Sequence, residues 1–253
     1  MLSKNKIKLI NSLSSNKHRQ QEGLFIAEGT KLIEALIDAH SSIQSIFATD
    51  EWLMQHRETG HEVDVITPEE MKKISQLTTP SQVLALVKIP TPPDINKLPA
   101  NQLMLGLDNI RDPGNMGTII RLAQWFGIDT IICNHGTVDC YNSKVVQATM
   151  GAIANIQIIY TNLEEFIDNH QTEQWPVYGT FLEGNNIFTE ALSPSGLIVL
   201  GNEGNGISAP IAERINKKLL IPDFASQQNR PESLNVSVAA AIVCAEFRRR
   251  QFK

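Results

Sequence analysis

Three stretches of this 253-residue chain carry polar side chains at spacings that suit catalysis. The first is Leu107-Asp-Asn-Ile-Arg-Asp-Pro-Gly-Asn-Met-Gly117, leading into Thr118 to Gly127. Ile119, Leu122, Ala123 and Phe126 form a stripe with helical spacing, which predicts a helix over 117–126 packed on that face. Gly127 sits where such a helix stops, and Asn115 is placed to cap its start. Arg121 lies off the stripe, one turn in, beside a terminus whose free amides attract anions. A guanidinium there can grip a phosphate or steady a developing oxyanion. The same spacing also describes a capped helix with a solvated arginine.

The second stretch, Leu200-Gly-Asn-Glu-Gly-Asn-Gly-Ile-Ser208, follows an apolar segment, and its three glycines let the backbone turn tightly against a ligand. No Gly-Lys-Ser/Thr follows, so it is not a phosphate-gripping P-loop. Gly204-x-Gly206-x-x-Ala209 has the spacing of a dinucleotide fingerprint, with Asp223 nineteen residues on. That reading would make the protein a nicotinamide-dependent oxidoreductase. Yet the first fingerprint glycine should end the strand and open a βαβαβ unit, whereas Gly204 lies four residues past Leu200, after most of the strands. Glu203 reads either as an acid facing a ligand or as a turn residue. The third stretch runs from Ile221-Pro-Asp to Pro-Glu-Ser233 and opens into Leu234-Asn-Val-Ser-Val-Ala-Ala-Ala. Ser233 is a natural cap, and Ser233 and Asn235 read either as ligand contacts or as capping and packing groups.

These loops need a frame. The segments 24–27, 43–48, 63–66 and 83–89 read as strands, with helices at 31–39 and 69–77; Thr67, Pro68 and Glu70 form a capping box before the second. Four of the twelve prolines fall within residues 90–99, which reads as an extended linker over 90–101 between residues 1–89 and 102–253. Beyond it, strands at 102–107, 130–134, 156–160, 177–181, 197–200 and 219–221 alternate with helices at 117–126, 143–150, 163–169 and 234–249. That alternation predicts α/β architecture with a mostly parallel sheet, ligands sitting beyond the strand carboxyl ends.

Composition narrows the function classes. Apolar residues make up 42% and charged residues 19%, a globular balance. No apolar run reaches the ~18 residues of a membrane span, so a soluble, cytoplasmic protein without membrane partners is expected. Cys133, Cys140 and Cys244 include no C-x-x-C; Cys133 and His135 with Cys140 could ligate a metal, but Cys133 falls inside an apolar strand. The net charge of −5 conceals basic ends. Residues 1–20 hold Lys4, Lys6, Lys8, Lys17 and Arg19 without an acid, and residues 246–253 hold four cations against one, leaving −13 between. Such ends suit a polyanion such as RNA, or simply solubility.

Together the motifs resemble a known family. Asp112-Pro-x-Asn115-x-Gly117-x-x-x-Arg121, then Gly201-Asn-Glu203-Gly-x-Gly206, then Ser233-Leu-Asn235-Val-Ser-Val-Ala239, in that order, are similar to the SpoU/TrmH family of S-adenosylmethionine-dependent RNA 2′-O-ribose methyltransferases. Lys144 to Ala152 matches a further helix of that family. The basic N-terminus, Phe25-Ile-Ala-Glu-Gly29 and Gln82 to Val87 resemble its L30e-like substrate-binding domain.

The resemblance implies a C-terminal SPOUT domain with a deep trefoil knot, a homodimer, an RNA substrate (tRNA or rRNA) and no metal. It matches Asn115, Arg121, Glu203, Ser233 and Asn235 to the family's catalytic polar residues. It matches Gly201, Ile221 and Leu234 to positions whose backbone holds the donor's adenosine, and it leaves Lys4, Lys8, Lys17 and Arg19 to face RNA. The family names the arginine as base; a guanidinium that stays charged is better suited to steadying the alkoxide or gripping a phosphate. One departure is visible: Asp223 stands where the family has Met, and ten glycine-free residues run from Asp223 to Glu232. A non-catalytic RNA-binding protein on the same scaffold remains an alternative at this level.

Overall fold

A computed structural model describes residues 1–56, 60–99, 101–224 and 233–251. It divides into two compact units, Met1–Thr91 with Asp139–Asn155, and Pro92–Val138 with Ile156–Lys253.

In the first unit the elements are α1 (Lys4–Ser12), α2 (Asn16–Glu22), β1 (Leu24–Glu28), α3 (Thr30–Asp38), β2 (Ile43–Ala48), α4 (Asp50–Gln55), β3 (Val63–Val65), α5 (Pro68–Ile74) and β4 (Val83–Lys88). The strands form a mixed sheet in the order β1-β4-β2-β3. The expected capping box on α5 is present: the Thr67 side chain accepts from Glu70 N and the Glu70 carboxylate accepts from Thr67 N. Ile10, Leu13, Phe47, Met71, Ile74 and Leu84 build the core.

A segment that lies beyond the linker in sequence, Asp139–Asn155, belongs to this unit rather than to the second. It carries α7 (Ser143–Thr149), and Asp139 in it accepts from Arg19 Nε at 2.9 Å and Nη2 at 2.6 Å. Arg19 also donates Nη1 to Leu13 O and Ser14 O, and it is 3% exposed. Its donors are spent inside the protein, which removes it from the residues able to grip RNA. Lys4, Lys8 and Lys17 are exposed.

The second unit contains β5 (Leu103–Leu107), α6 (Pro113–Trp125), β6 (Thr130–Asn134), β7 (Gln157–Thr161), α8 (Leu163–His170), β8 (Val177–Asn186), β9 (Gly196–Leu200), α9 (Ala209–Ala212), β10 (Lys217–Leu220) and α10 (Val236–Arg249). Its six strands pair in parallel throughout, in the order β10-β8-β9-β5-β6-β7. β5 and β9 are buried along their whole length, as strands sandwiched between helical layers must be. Met104, Ile132, Leu163, Phe166, Trp175 and Val199 form one core, onto which Ile95 and Leu98 of the proline-rich stretch also pack. Between Lys218 and Leu219 of β10 the partner on β8 jumps from Gly179 to Asn185, so residues 180–184 bulge from the ladder where a plain strand end was expected.

The chain steps from β5 out to β7, returns across the sheet to β8, and then places β9 against β5. The loops after β5 and β9 therefore flank the point where the strand order reverses, the place where parallel α/β sheets hold ligands.

Candidate active site

The residues of α6 set the site's geometry. The helix starts at Pro113, four residues earlier than the apolar stripe suggests, because Asp112 is its cap: Asp112 Oδ1 accepts from Asn115 N at 2.8 Å, and Pro113 holds the first helical position. Asn115 is thus in the first turn, relieved of capping. Its Nδ2 donates to Glu203 Oε1 at 2.9 Å, and its Oδ1 accepts from Asn235 Nδ2 at 3.0 Å. One amide joins all three polar stretches.

α10, by contrast, starts later than expected, at Val236, and its cap is Asn235 instead of Ser233. Asn235 Oδ1 accepts from Ser237 N at 2.9 Å and from Ser237 Oγ at 2.6 Å, which orients Nδ2 toward Asn115. Capping and site-building are done by the same side chain. The far ends of the two helices are also tied, since Arg248 donates Nε to Phe126 O at 2.6 Å and Nη2 to Gly127 O at 2.5 Å. α6 and α10 therefore lie side by side and parallel, joined at both termini.

The loop after β9 folds on itself. Asn202 and Gly206 exchange both main-chain hydrogen bonds at 2.9 Å, and Asn202 Oδ1 accepts from Gly204 N and Asn205 N. A Cβ on buried Gly201 would stand 2.2 Å from Gly206 C and 2.3 Å from Ile207 N, so only glycine allows this closure. Asn202 Nδ2 donates to Asn109 O at 2.8 Å and reaches Glu203 Oε2 at 3.3 Å.

Asn115, Glu203 and Asn235 are thus brought together, and Gly201 sits at the root of the Glu203 loop. Arg121 is exposed on α6, about 9 Å along the axis from Asn115, and makes no hydrogen bond or ion pair among the described residues. Ser233 is exposed at the start of the turn into α10. Ile221 is half-buried after β10 and Leu234 is 49% exposed. They flank residues 225–232, so most of the long 223–232 stretch lies outside the described residues. Two participants were not singled out by the sequence: Asn202, which shapes the loop, and Asp108 at the end of β5. The signal for Asn202 was its place between Gly201 and Glu203.

The donor set fits a nucleoside bearing a cationic sulfonium. Gly201 lets the loop close on itself, Ile221 and Leu234 leave apolar surface partly open to solvent, and the exposed Glu203 carboxylate supplies negative charge. Among the described residues no group of three His, Cys, Asp or Glu could hold a metal ion. All three cysteines are buried, and burial pushes the Cys244 thiol up to about 12.

Fold and site together define a parallel α/β protein in which the loops after β5 and β9, at the reversal point of the sheet, meet the start of α10. Residues 102–245 match the SpoU rRNA Methylase family, and residues 4–85 match the MRM3-like substrate binding domain. The 23S rRNA (guanosine(2553)-2′-O)-methyltransferase RlmP of Bacillus subtilis is 31% identical over 245 residues, 96% of each chain. A TrmH-family protein of Porphyromonas gingivalis is 36% identical with a TM-score of 0.89, covering 99% of both chains. The AdoMet-bound rRNA methyltransferase of Sinorhizobium meliloti is 28% identical with a TM-score of 0.87, covering 100% of this chain and 97% of that one. The chain belongs to the SpoU rRNA methylase family.

Proposed function

We propose that this protein transfers a methyl group from S-adenosylmethionine to a ribose 2′-hydroxyl of structured RNA, either rRNA or tRNA. The observation that carries the reading is the Asn115 amide, which binds Glu203 on one side and Asn235 on the other and so assembles one site from three loops.

When bound, the donor supplies an activated methyl on a sulfonium, and the protein's part is alignment and charge control. Gly201, Ile221 and Leu234 hold the adenosine side through their backbone. Asn115, Ser233 and Asn235 orient the ribose, and Glu203 fixes Asn115. Arg121, with an uncommitted guanidinium, grips the phosphate next to the reacting sugar or steadies the alkoxide as its proton leaves. An L30e-like domain within residues 1–89 binds the RNA, with Lys4, Lys8 and Lys17 on phosphates; the methyltransferase domain, with the trefoil knot of the family, lies within residues 102–253, of which Asp139–Asn155 packs with the first unit.

The working form is a homodimer in the cytoplasm. α10 exposes Val238 and Ala245 along one side, Leu234 is exposed just before it, and α6 beside it leaves Trp125 84% exposed. An apolar strip of this kind is what a second copy covers, with Arg121 at its margin. Among the described residues no helix is long and apolar enough to cross a membrane.

The test is transfer of tritium from labelled donor to total RNA of a strain lacking the protein. Arg121→Ala should abolish transfer and leave the thermal midpoint within about 1 °C, because Arg121 makes no bond that a surface truncation would break. Wild-type protein that labels no RNA would refute the reading.

A further inference from the structure

Asp108 is fully buried and faces no cation among the described residues. Its Oδ1 accepts from Asn109 Nδ2 at 2.7 Å and Asn134 Nδ2 at 3.0 Å, and its Oδ2 accepts from Ser208 N at 2.7 Å. Removing a carboxylate from water is costly unless hydrogen bonds replace the solvent, and three N–H donors do so here. An apolar side chain would serve the β5–β9 core at less cost. The charge does something else: it gathers the ends of β5 and β6 and the start of α9 onto one group.

Those bonds bear on the site. Ser208 closes the 201–208 loop, and Asp108 holds it directly. The near end of the loop is held through Asn109, whose backbone is in the left-handed region (φ 57°) and whose carbonyl accepts from Asn202 Nδ2. Asn109 is fixed on its other side by Gly136, where any Cβ would stand 1.7 Å from Asn109 Oδ1. Asn202 in turn reaches Glu203, and Glu203 reaches Asn115 and, through it, Asn235. The hydrogen-bonded path from Asp108 to Asn235 is unbroken.

We propose that Asp108 is a positioning residue for methyl transfer: its buried carboxylate holds both ends of the 201–208 loop and thereby fixes Glu203 against Asn115 and Asn235, while touching neither substrate. This rests on the methyltransferase reading above and adds a residue to it.

Asp108→Asn tests the role, because the near-isosteric amide turns one acceptor into a donor that meets an N–H. Turnover and KM for RNA would be measured at saturating donor, with donor affinity by calorimetry and the folded fraction by thermal melting. Turnover per folded molecule should fall about 100-fold, the scale of a misplacement near 1 Å, with KM for RNA within about twofold. A merely structural role would lower the melting point and leave turnover per folded molecule unchanged, and that result overturns the proposal. Asn202→Ala, on the half-exposed loop, keeps the fold and should lower turnover likewise. The double variant should be no slower than the worse single, because both lie on one path. Wild-type turnover in Asn202→Ala overturns the proposal, as do additive losses in the double; if Asp108→Asn does not fold, Asn202→Ala decides alone. An inactive wild type refutes the methyltransferase reading itself, and this role with it.

Discussion

Asn115→Asp probes the joint between the three loops while changing its shape least. The substitution keeps the acceptor for Asn235 Nδ2 but replaces the amide that lies 2.9 Å from Glu203 Oε1 with a second carboxylate oxygen. Two unit charges 4 Å apart repel by about 1 kcal/mol in water and about 4 kcal/mol at the effective dielectric of a protein surface. Asn115 is half-buried and Glu203 exposed, so the lower end applies, ~1–2 kcal/mol. The two acids then titrate as a coupled pair, and one of them holds its proton to a higher pH than an isolated carboxyl would. With both acids ionised the loops repel, and with one proton between them the pair is bridged as the amide bridged it. At pH 8 the variant should therefore transfer methyl about 5- to 30-fold more slowly than wild type, the rate equivalent of that repulsion. The deficit should shrink as pH falls to 5. The measurement is single-turnover transfer at saturating donor and RNA, expressed as the ratio of variant to wild type at each pH. A ratio that is flat from pH 5 to 8, or a variant as fast as wild type at pH 8, would show that the Asn115–Glu203 contact does not organise the site.

Three further outcomes follow from contacts outside the reacting groups. Arg19→Met leaves Asp139 and two carbonyls without donors and should cost about 3 kcal/mol in urea unfolding of the full chain, the low end for a broken buried pair; a loss below ~1 kcal/mol would contradict the assignment of Arg19 as a structural residue. Glu246 is held down at about 2 by its hydrogen bonds to Arg249 and Arg250. Its folded pKa is depressed, so the stability it adds is complete above its ordinary pKa of 4.5 and is lost as pH falls toward 2. Glu246→Gln should therefore unfold more readily than wild type at pH 6, with the gap closing by pH 2; a gap independent of pH would rule this out. Trp125→Glu combined with Val238→Glu should give monomers in sedimentation velocity, and an unchanged dimer would place the subunit contact elsewhere.

Much of this architecture is legible in the sequence because its signals are local. Ile43–Ala48 and Thr130–Asn134 have the bounds expected from β-branched and apolar runs, and α5 follows from its capping box. α1 and α2 are not legible: the first twenty residues read as a basic arm, and α1 is a helix because Ile10 and Leu13 find the core and Leu2 N finds Glu70 at 2.7 Å. Those partners are nearly seventy residues away. The site divides in the same way. Asn115, Glu203 and Asn235 stand out by spacing and resemblance, whereas Asp108 reads as an unremarkable strand-end acid until Ser208, one hundred residues later, closes on it. Arg19 reads as an RNA-facing cation for the same reason, since charge alone cannot reveal Asp139 120 residues on. Helix starts were misplaced by two to four residues where two side chains competed for the cap, Asp112 against Asn115 and Asn235 against Ser233.

The membership of Asp139–Asn155 in the first unit bears on how proteins of this architecture can be recombined. A single cut at the proline-rich stretch looks like a natural seam for exchanging the first unit. It would strand Arg19 without its carboxylate and strip α7 from the module it completes. A workable graft has to carry two pieces of chain, with Asp139 moving alongside Arg19.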